Sequence, residues 1–102
     1  MIAMRKKIPM SATVVAVKDQ VSSVLGEEAV ILHLKDGVYY GLNSVGAAVW
    51  NLIQTPQIVS DIHTRLLAEF EVTTSQCEQD LIRLLAELEA KGLVEISDGT
   101  PA

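Results

Sequence analysis

One cysteine, two histidines and eight basic residues are all that this 102-residue chain offers of several reactive and charged types. The single cysteine, Cys77, excludes an intramolecular disulfide framework and suits a reducing cytoplasm, where the protein is expected to reside. No Cys-x-x-Cys or His-x-x-x-His spacing is present, and His33 and His63 fall on different expected elements, so both read as surface or rim histidines and no metal centre is expected. Gly37, Gly41 and Gly46 are spaced wrongly for a phosphate cradle, and no Gly-Lys-Ser/Thr follows them. Glu87 and Glu89, like Glu78 and Asp80, point to different sides of a helix and serve a solvated face rather than an acid/base pair. Cys77 falls in the first turn of a helix, where the dipole favours a thiolate. It nevertheless shares its register with Leu81, Leu84 and Leu88, and no partner base stands out, so it reads as core. With no catalytic constellation, the chain is not read as an enzyme, and no cofactor is expected.

Positive charge is equally scarce. The formal net charge is −5, and without the Arg5-Lys6-Lys7 cluster the remainder stands at −8 (−5 less three positive charges). A body that acidic repels phosphate backbones, which argues against nucleic acid. The expected third helix carries Arg83 and Lys91 against four acidic residues, so it lacks the basic face of a recognition helix. Long apolar runs are absent too. Residues 38–60 are uncharged but contain Asn43, Ser44, Asn51, Gln54, Thr55, Pro56 and Gln57, too many polar groups for a membrane span. The apolar stretch after Lys7 is interrupted by Pro9, Ser11 and Thr13 and ends at Lys18 without a small-residue cleavage pattern, unlike a signal peptide.

What is present is ordered punctuation. The apolar fraction of 49% and charged fraction of 21% fit one globular domain. Residues 13–17 (TVVAV) are β-branched and predict a strand, and residues 18–28 (KDQVSSVLGEE) predict a loop. AVILHLK and VYYGL flank Asp36-Gly37, which predicts a two-residue type I′ hairpin with Leu34 facing Tyr39 and His33 facing Tyr40. Alternation puts Val38, Tyr40 and Leu42 on one face and Tyr39 and Gly41 on the other. A first helix starts at Asn43 or Ser44, carries Val45, Val49, Leu52 and Ile53 with Trp50 on the border, and ends before Pro56. A second begins near Gln57 or Ile58 with Val59, Ile62, Leu66 and Phe70 at helical spacing. Thr73 to Gln76 form a capping box for a third, which buries Cys77, Leu81, Leu84, Leu85 and Leu88 and stops at Gly92. A short extended piece, 93–96, follows. The order predicts an α+β, winged helix-turn-helix-like domain, a three-stranded antiparallel sheet followed by three helices, over residues 12–96, with flexible tails at 1–11 and 97–102.

GVYYGLNSVGAAVWNLI, the helix led by Pro56 and CEQDLIRLLAELEAKGLVEI together resemble the PqqD-like family of peptide-binding chaperones, the recognition elements of ribosomally made, modified peptides. The resemblance runs over roughly residues 12–96. It rests on the Gly37-x-x-x-x-Leu42-Asn43 junction and on the spacing of Asp80, Leu84-Leu85, Leu88 and Gly92-Leu93. The Tyr-Tyr-Gly-Leu-Asn form and the Val49-Trp50 pair look more like the free-standing proteins of lasso peptide pathways than the branch serving quinone cofactor synthesis. The chain departs from the pattern at Pro56-Gln-Ile-Val-Ser-Asp61, where the family has a more acidic helix start. The resemblance implies that the 38–42 strand and the third helix bind the leader segment of a precursor peptide as an added strand. It also implies a separate cysteine protease and an ATP-dependent ring-forming cyclase as partners.

The residues suit such a role. An edge strand over 38–42 offers about four backbone hydrogen bonds of roughly 0.5–1.5 kcal/mol each. Tyr39 and Tyr40 supply broad apolar area with a polar tip, and Gly41 lets a second backbone approach. The expected peptide-binding set is Val38, Tyr39, Tyr40, Gly41 and Leu42 on the strand with Asp80, Arg83, Leu84 and Glu87 on the helix. The competing reading is a winged-helix protein-interaction or transcription-regulator-like module, in which the tyrosines simply finish the core.

Overall fold

Across residues 8–97, the span that the computed structural model describes, extended and helical segments assemble into two small antiparallel sheets and three helices. The first sheet centres on β1 (Thr13–Ala16), which is rich in β-branched residues and buries Val14 and Ala16 on its inner side. The second consists of β2 (Gln20–Leu25), β3 (Glu28–His33) and β4 (Tyr39–Leu42), in that order. Helix α1 (Ser44–Leu52) follows β4 directly. A two-residue strand, β5 (Gln57–Ile58), then pairs with β1 before α2 (Val59–Glu69) and α3 (Thr74–Ala90). The last strand, β6 (Val94–Ser97), returns to the other side of β1, with Thr13 opposite Ser97 and Ala16 opposite Val94.

The α+β class with antiparallel strands and three helices is as expected, but the sheet is assembled differently. The segment read as a loop after Lys18 contains β2, while β1 leaves the hairpin sheet to pair with β5 and β6. The reason is visible in β2 itself: Val21, Ser22, Ser23 and Val24 are all exposed, so no burial imposes an apolar/polar alternation. Backbone pairing alone makes it a strand. Gly26, at φ 68°, opens its two-residue turn to β3 and is followed by Glu27 without a positive φ, the pattern of a type II′ turn.

The β3–β4 hairpin also differs. No residue other than glycine has a positive φ among the described residues, so Asp36 does not adopt the left-handed conformation that a type I′ turn requires of it. Residues 34–37 form a longer loop instead. The Gly37 N–H donates to the His33 carbonyl at 2.8 Å, Gly37 takes φ 71°, and Asp36 Oδ1 accepts from the Val38 N–H at 3.3 Å. Tyr39 therefore faces Leu32 and Tyr40 faces Ile31, two residues away from the expected partners on β3. A slip of two leaves every side chain on its expected face. Leu42 is buried and Tyr40 half-buried, while Tyr39 is 70% exposed.

The helices follow their capping signals. Asn43 Oδ1 accepts from the Gly46 N–H at 2.9 Å, and Thr73 Oγ1 accepts from the Gln76 N–H at 3.2 Å. The capping box is only half formed, because the Gln76 side chain reaches forward to Asp80 rather than back to Thr73. At the far end of α3, the Leu93 N–H donates to Leu88 and the Gly92 N–H to Glu89, the paired bonds of a Schellman stop with Gly92 at φ 72°. Gln57 and Ile58 are strand rather than helix start, so the second helix begins at Val59.

Val14, Ile31, Val49, Ile53, Val59, Leu85 and Leu88 meet in one core, joined by Trp50, which at 2% exposure is interior rather than at a border. Both histidines are interior as well, at 9% and 8% exposure, and not on the rim as expected. His33 Nε2 donates to the Gly92 carbonyl at 3.2 Å and His63 Nε2 to the Thr74 carbonyl at 3.1 Å, each tying a neighbouring element to one end of α3. Of the segment expected to be an N-terminal tail, residues 1–7 lie outside the described residues. Ile8 is 2% exposed in the core, and the Met10 carbonyl accepts from the Ser60 N–H. In the C-terminal segment Ser97 pairs in β6, and residues 98–102 lie outside the described residues.

Gly92 holds a left-handed conformation, and a Cβ added there would meet only the His33 ring, at 3.7 Å. A side chain at this position is therefore strained by the backbone and not by crowding. Gly92→Ala is expected to lower the unfolding free energy by about 1–2 kcal/mol, read as a shift in the urea midpoint at unchanged slope.

Candidate functional site

β4 is an edge strand: β3 pairs with one side of it, and no strand among the described residues pairs with the other. Antiparallel pairs alternate between bonded and non-bonded positions. The His33 N–H donates to the Val38 carbonyl at 3.0 Å, which makes Ile31–Tyr40 and Ala29–Leu42 the next bonded pairs in the same register. Tyr39 and Gly41 occupy the positions between. Their N–H and C=O groups consequently point away from β3, towards the open edge.

Beside that edge lies a groove of about 400 Å³ between β4 and α3. Tyr40, Gly41 and Leu42 form one wall and Asp80, Arg83, Leu84 and Glu87 the other, so these seven expected positions come together. Val38 and Tyr39 do not line it. Val38 belongs to the loop end of the hairpin and is 50% exposed, and the Tyr39 side chain stands on the outer sheet face. The floor includes residues that sequence reasoning assigned to the core or passed over: Val45, Gly46 and Val49 of α1, Leu66 and Phe70 at the end of α2, Val72, and Cys77 and Leu81 of α3. The one signal in α3 was Leu84, which continues the apolar stripe of Cys77 and Leu81 but is left half-buried beside their core positions. Gly46 deepens the floor. A Cβ there would lie 3.0 Å from Leu42 Cδ2 and 3.2 Å from Leu42 Cβ, so a side chain at this position would crowd the junction of α1 with β4.

The rim is polar and its charges are mostly paired with each other. The Tyr40 hydroxyl donates to Glu87 Oε1 at 3.0 Å, a side-chain tie from strand to helix, and Lys91 Nζ lies 5.4 Å from the centre of the Tyr40 ring. Burial first, and then the bond to Glu87 and its negative charge, push the Tyr40 phenol above its ordinary value of 10.0. Arg83 Nη1 lies 3.6 Å from Asp80 Oδ1, and Asp80 also accepts from Gln76 Nε2 at 2.9 Å. Both members of the Arg83–Asp80 pair are exposed, so its contribution to stability is small and Arg83 remains available to another anion. In the floor, burial and then the Asp80 carboxylate push the Cys77 thiol up, which favours the protonated, unreactive form. Among the described residues no group of three or more His, Cys, Asp or Glu is placed to hold a metal ion. None of the described helices is long and apolar enough to cross a membrane.

This arrangement can do one thing well. An extended chain laid in the groove finds backbone partners on its β4 side, apolar contacts beneath, and charged groups along the α3 side.

A solved structure described as TbiB1 in complex with the TbiA(beta) leader peptide is similar to this chain, with 32% identity, a TM-score of 0.74, and coverage of 86% of this chain and 99% of that one. None of the curated proteins matches. The family model described as coenzyme PQQ synthesis protein D (PqqD) matches residues 28–94, from the start of β3 through the first residue of β6. The matched span contains both walls of the groove and its floor, and the chain belongs to the PqqD family.

Proposed function

We propose that this protein binds the leader segment of a ribosomally made precursor peptide, which adds as a strand to β4 and packs its side chains into the groove against α3. The observation that carries the reading is the open β4 edge beside an apolar floor. The similar chain whose structure holds a leader peptide supports it. Two outward residues, Tyr39 and Gly41, supply about four backbone hydrogen bonds of roughly 0.5–1.5 kcal/mol each. Apolar anchors seated on half-buried Val45, Phe70 and Leu84 add roughly 1.5–3 kcal/mol apiece. Against an association cost of about 4–15 kcal/mol, these terms are compatible with affinity near or below micromolar.

In this reading the protein does no chemistry. It presents the bound precursor to a separate cysteine protease and an ATP-dependent cyclase in lasso peptide maturation, in the cytoplasm. The contributions divide by position. Gly41 and Tyr39 act through the backbone, Leu84 through the apolar wall, and Arg83 through charge. Val38 borders the strand's start, and the Tyr39 ring flanks the outward side chains of the added strand. Asp80 and Glu87 orient Arg83 and Tyr40.

Calorimetric titration with synthetic leader segments of ribosomal precursor peptides tests the proposal. Saturable binding at one site is expected. Gly41→Pro removes an outward donor without touching the β3 ladder and is expected to weaken binding about tenfold or more. Leu84→Ala is expected to cost about tenfold and Arg83→Ala less, with Tyr39→Ala the mildest because its ring stands outside the groove. Absence of saturable binding by the folded protein would overturn the proposal. Trp50, being interior, is expected to report unfolding rather than leader binding.

The Tyr40–Glu87 tie has its own signature. Its folded-state phenol value is raised, so it contributes stability that is complete below pH 10.0 and is lost as pH rises through the raised value. Denaturant unfolding followed across that alkaline range is expected to show a smaller loss in Tyr40→Phe than in the parent.

A further inference from the structure

His33 is held between two groups that a neutral ring cannot serve together. Its Nε2 lies 3.2 Å from the Gly92 carbonyl, and its Nδ1 lies 3.2 Å from Asp36 Oδ1. A carbonyl oxygen and a carboxylate oxygen only accept hydrogen bonds, whereas a neutral imidazole has a single N–H. With that proton on Nε2, the Nδ1 lone pair faces the carboxylate, and Nδ1 is buried without a hydrogen-bond partner. Gln20 stands opposite His33 across the β2–β3 ladder, and its Oε1 is likewise buried and unpaired. Polar atoms sheltered from water without partners are costly. A proton on Nδ1 supplies the donor that this corner lacks.

The charges farther out are of both signs. Lys18, Asp19, Lys35 and Glu95 line a pocket shared with the ring. α3 brings Glu89 and Lys91 to the end where Gly92 stops it. α1, which packs against β3, carries no charge, and β2 faces the ring with the neutral Gln20. What protonation changes is the ring's relation to the two oxygens in contact with it. Both become acceptors of one cation, in charge-assisted hydrogen bonds.

Those two oxygens belong to the ends of the groove walls. Asp36 lies in the loop over residues 34–37 and accepts from the Val38 N–H at 3.3 Å, at the entry to β4. Gly92 ends α3 shortly beyond Glu87, whose carboxylate accepts from the Tyr40 hydroxyl. We propose that His33 is a positioning residue for the groove: as an imidazolium it donates to Asp36 and Gly92 together and fixes the spacing of β4 from α3. The inference rests on the leader reading of that groove. Loss of the proton releases the loop while the bond to Gly92 stays. The wall at the Tyr40 end is then less constrained, and the cost of ordering it falls on peptide binding. Leader affinity therefore rises as the pH falls through the range in which histidine takes up a proton. By linkage, a bound leader favours the protonated ring to the same degree.

The test is calorimetric titration of the full chain with a histidine-free synthetic leader segment of a ribosomal precursor peptide, between about pH 8 and about pH 5. The parent is expected to bind about fivefold more tightly at the acid end. His33→Gln, which takes up no proton in this range, is expected to give a flat profile. Asp36→Asn can offer an amide donor to the neutral Nδ1 and is expected to bind at every pH about as the parent does at the acid end. If His33→Gln fails to fold, Asp36→Asn carries the test. Both variants keep His63, so a pH dependence that persists in them belongs elsewhere and overturns the proposal. Saturable binding by the parent with a flat profile overturns it too, and leaves the leader reading intact. An NMR titration without peptide separates the two readings from the other side. Protonation of the His33 ring is expected to shift the Val38 and Gly92 amide resonances together. If it does so while no leader segment binds at any pH, the leader reading fails and the His33 clamp stands; if those amides stay still, the clamp fails.

Discussion

A strand laid beside a helix keeps half of its backbone groups unsatisfied. The helix spends its own N–H and C=O groups along its axis and has none to offer sideways. That mismatch governs the arrangement around β4, which has β3 on one side and the groove, then α3, on the other. Had α3 closed directly onto the strand, the outward groups of Tyr39 and Gly41 would have been buried without partners. The groove keeps them accessible, and Tyr40 spans it through its hydrogen bond to Glu87.

The rest of the fold holds that separation in place. α1 starts immediately after β4, capped by Asn43, and Gly46 allows its first turn to press against Leu42. α3 is anchored at one end through the His63 contact to Thr74 and at the other through Gly92, whose carbonyl accepts from His33. Leu81, Leu85 and Leu88 turn to the core, leaving Leu84 half-buried at the margin. One helix thus serves two surfaces, with its inner stripe closing the core and the adjacent stripe forming a wall.

Elements with strong local chemistry were legible in the sequence. The three helices, their Asn43, Thr73 and Gly92 boundaries, and the alternation of Tyr39 to Leu42 follow from capping and period. β2 was not legible, because an exposed strand carries no alternation and its serines resemble a loop. β5 is two residues long and defined only by its partner β1. The site was readable where it coincided with named motifs, as at Tyr40, Gly41 and Leu84. It was unreadable where distant segments converge, as Phe70 and Val72 do with Val45. Tyr39 shows the limit within a single residue: its backbone belongs to the open edge while its side chain belongs to the opposite face.

The hairpin register carries a consequence for how this protein can change over time. Its loop displaced the expected pairing by two residues and left every side chain facing as before. Parity, rather than loop length, is what the groove reads. Insertions or deletions at residues 34–37 that come in twos preserve the wall formed by Tyr40 and Leu42. A change of one residue on the β4 side would exchange that wall for the Tyr39 face, turning a buried leucine to solvent and a glycine to the core. Length variation between relatives at this loop should therefore be counted as odd or even.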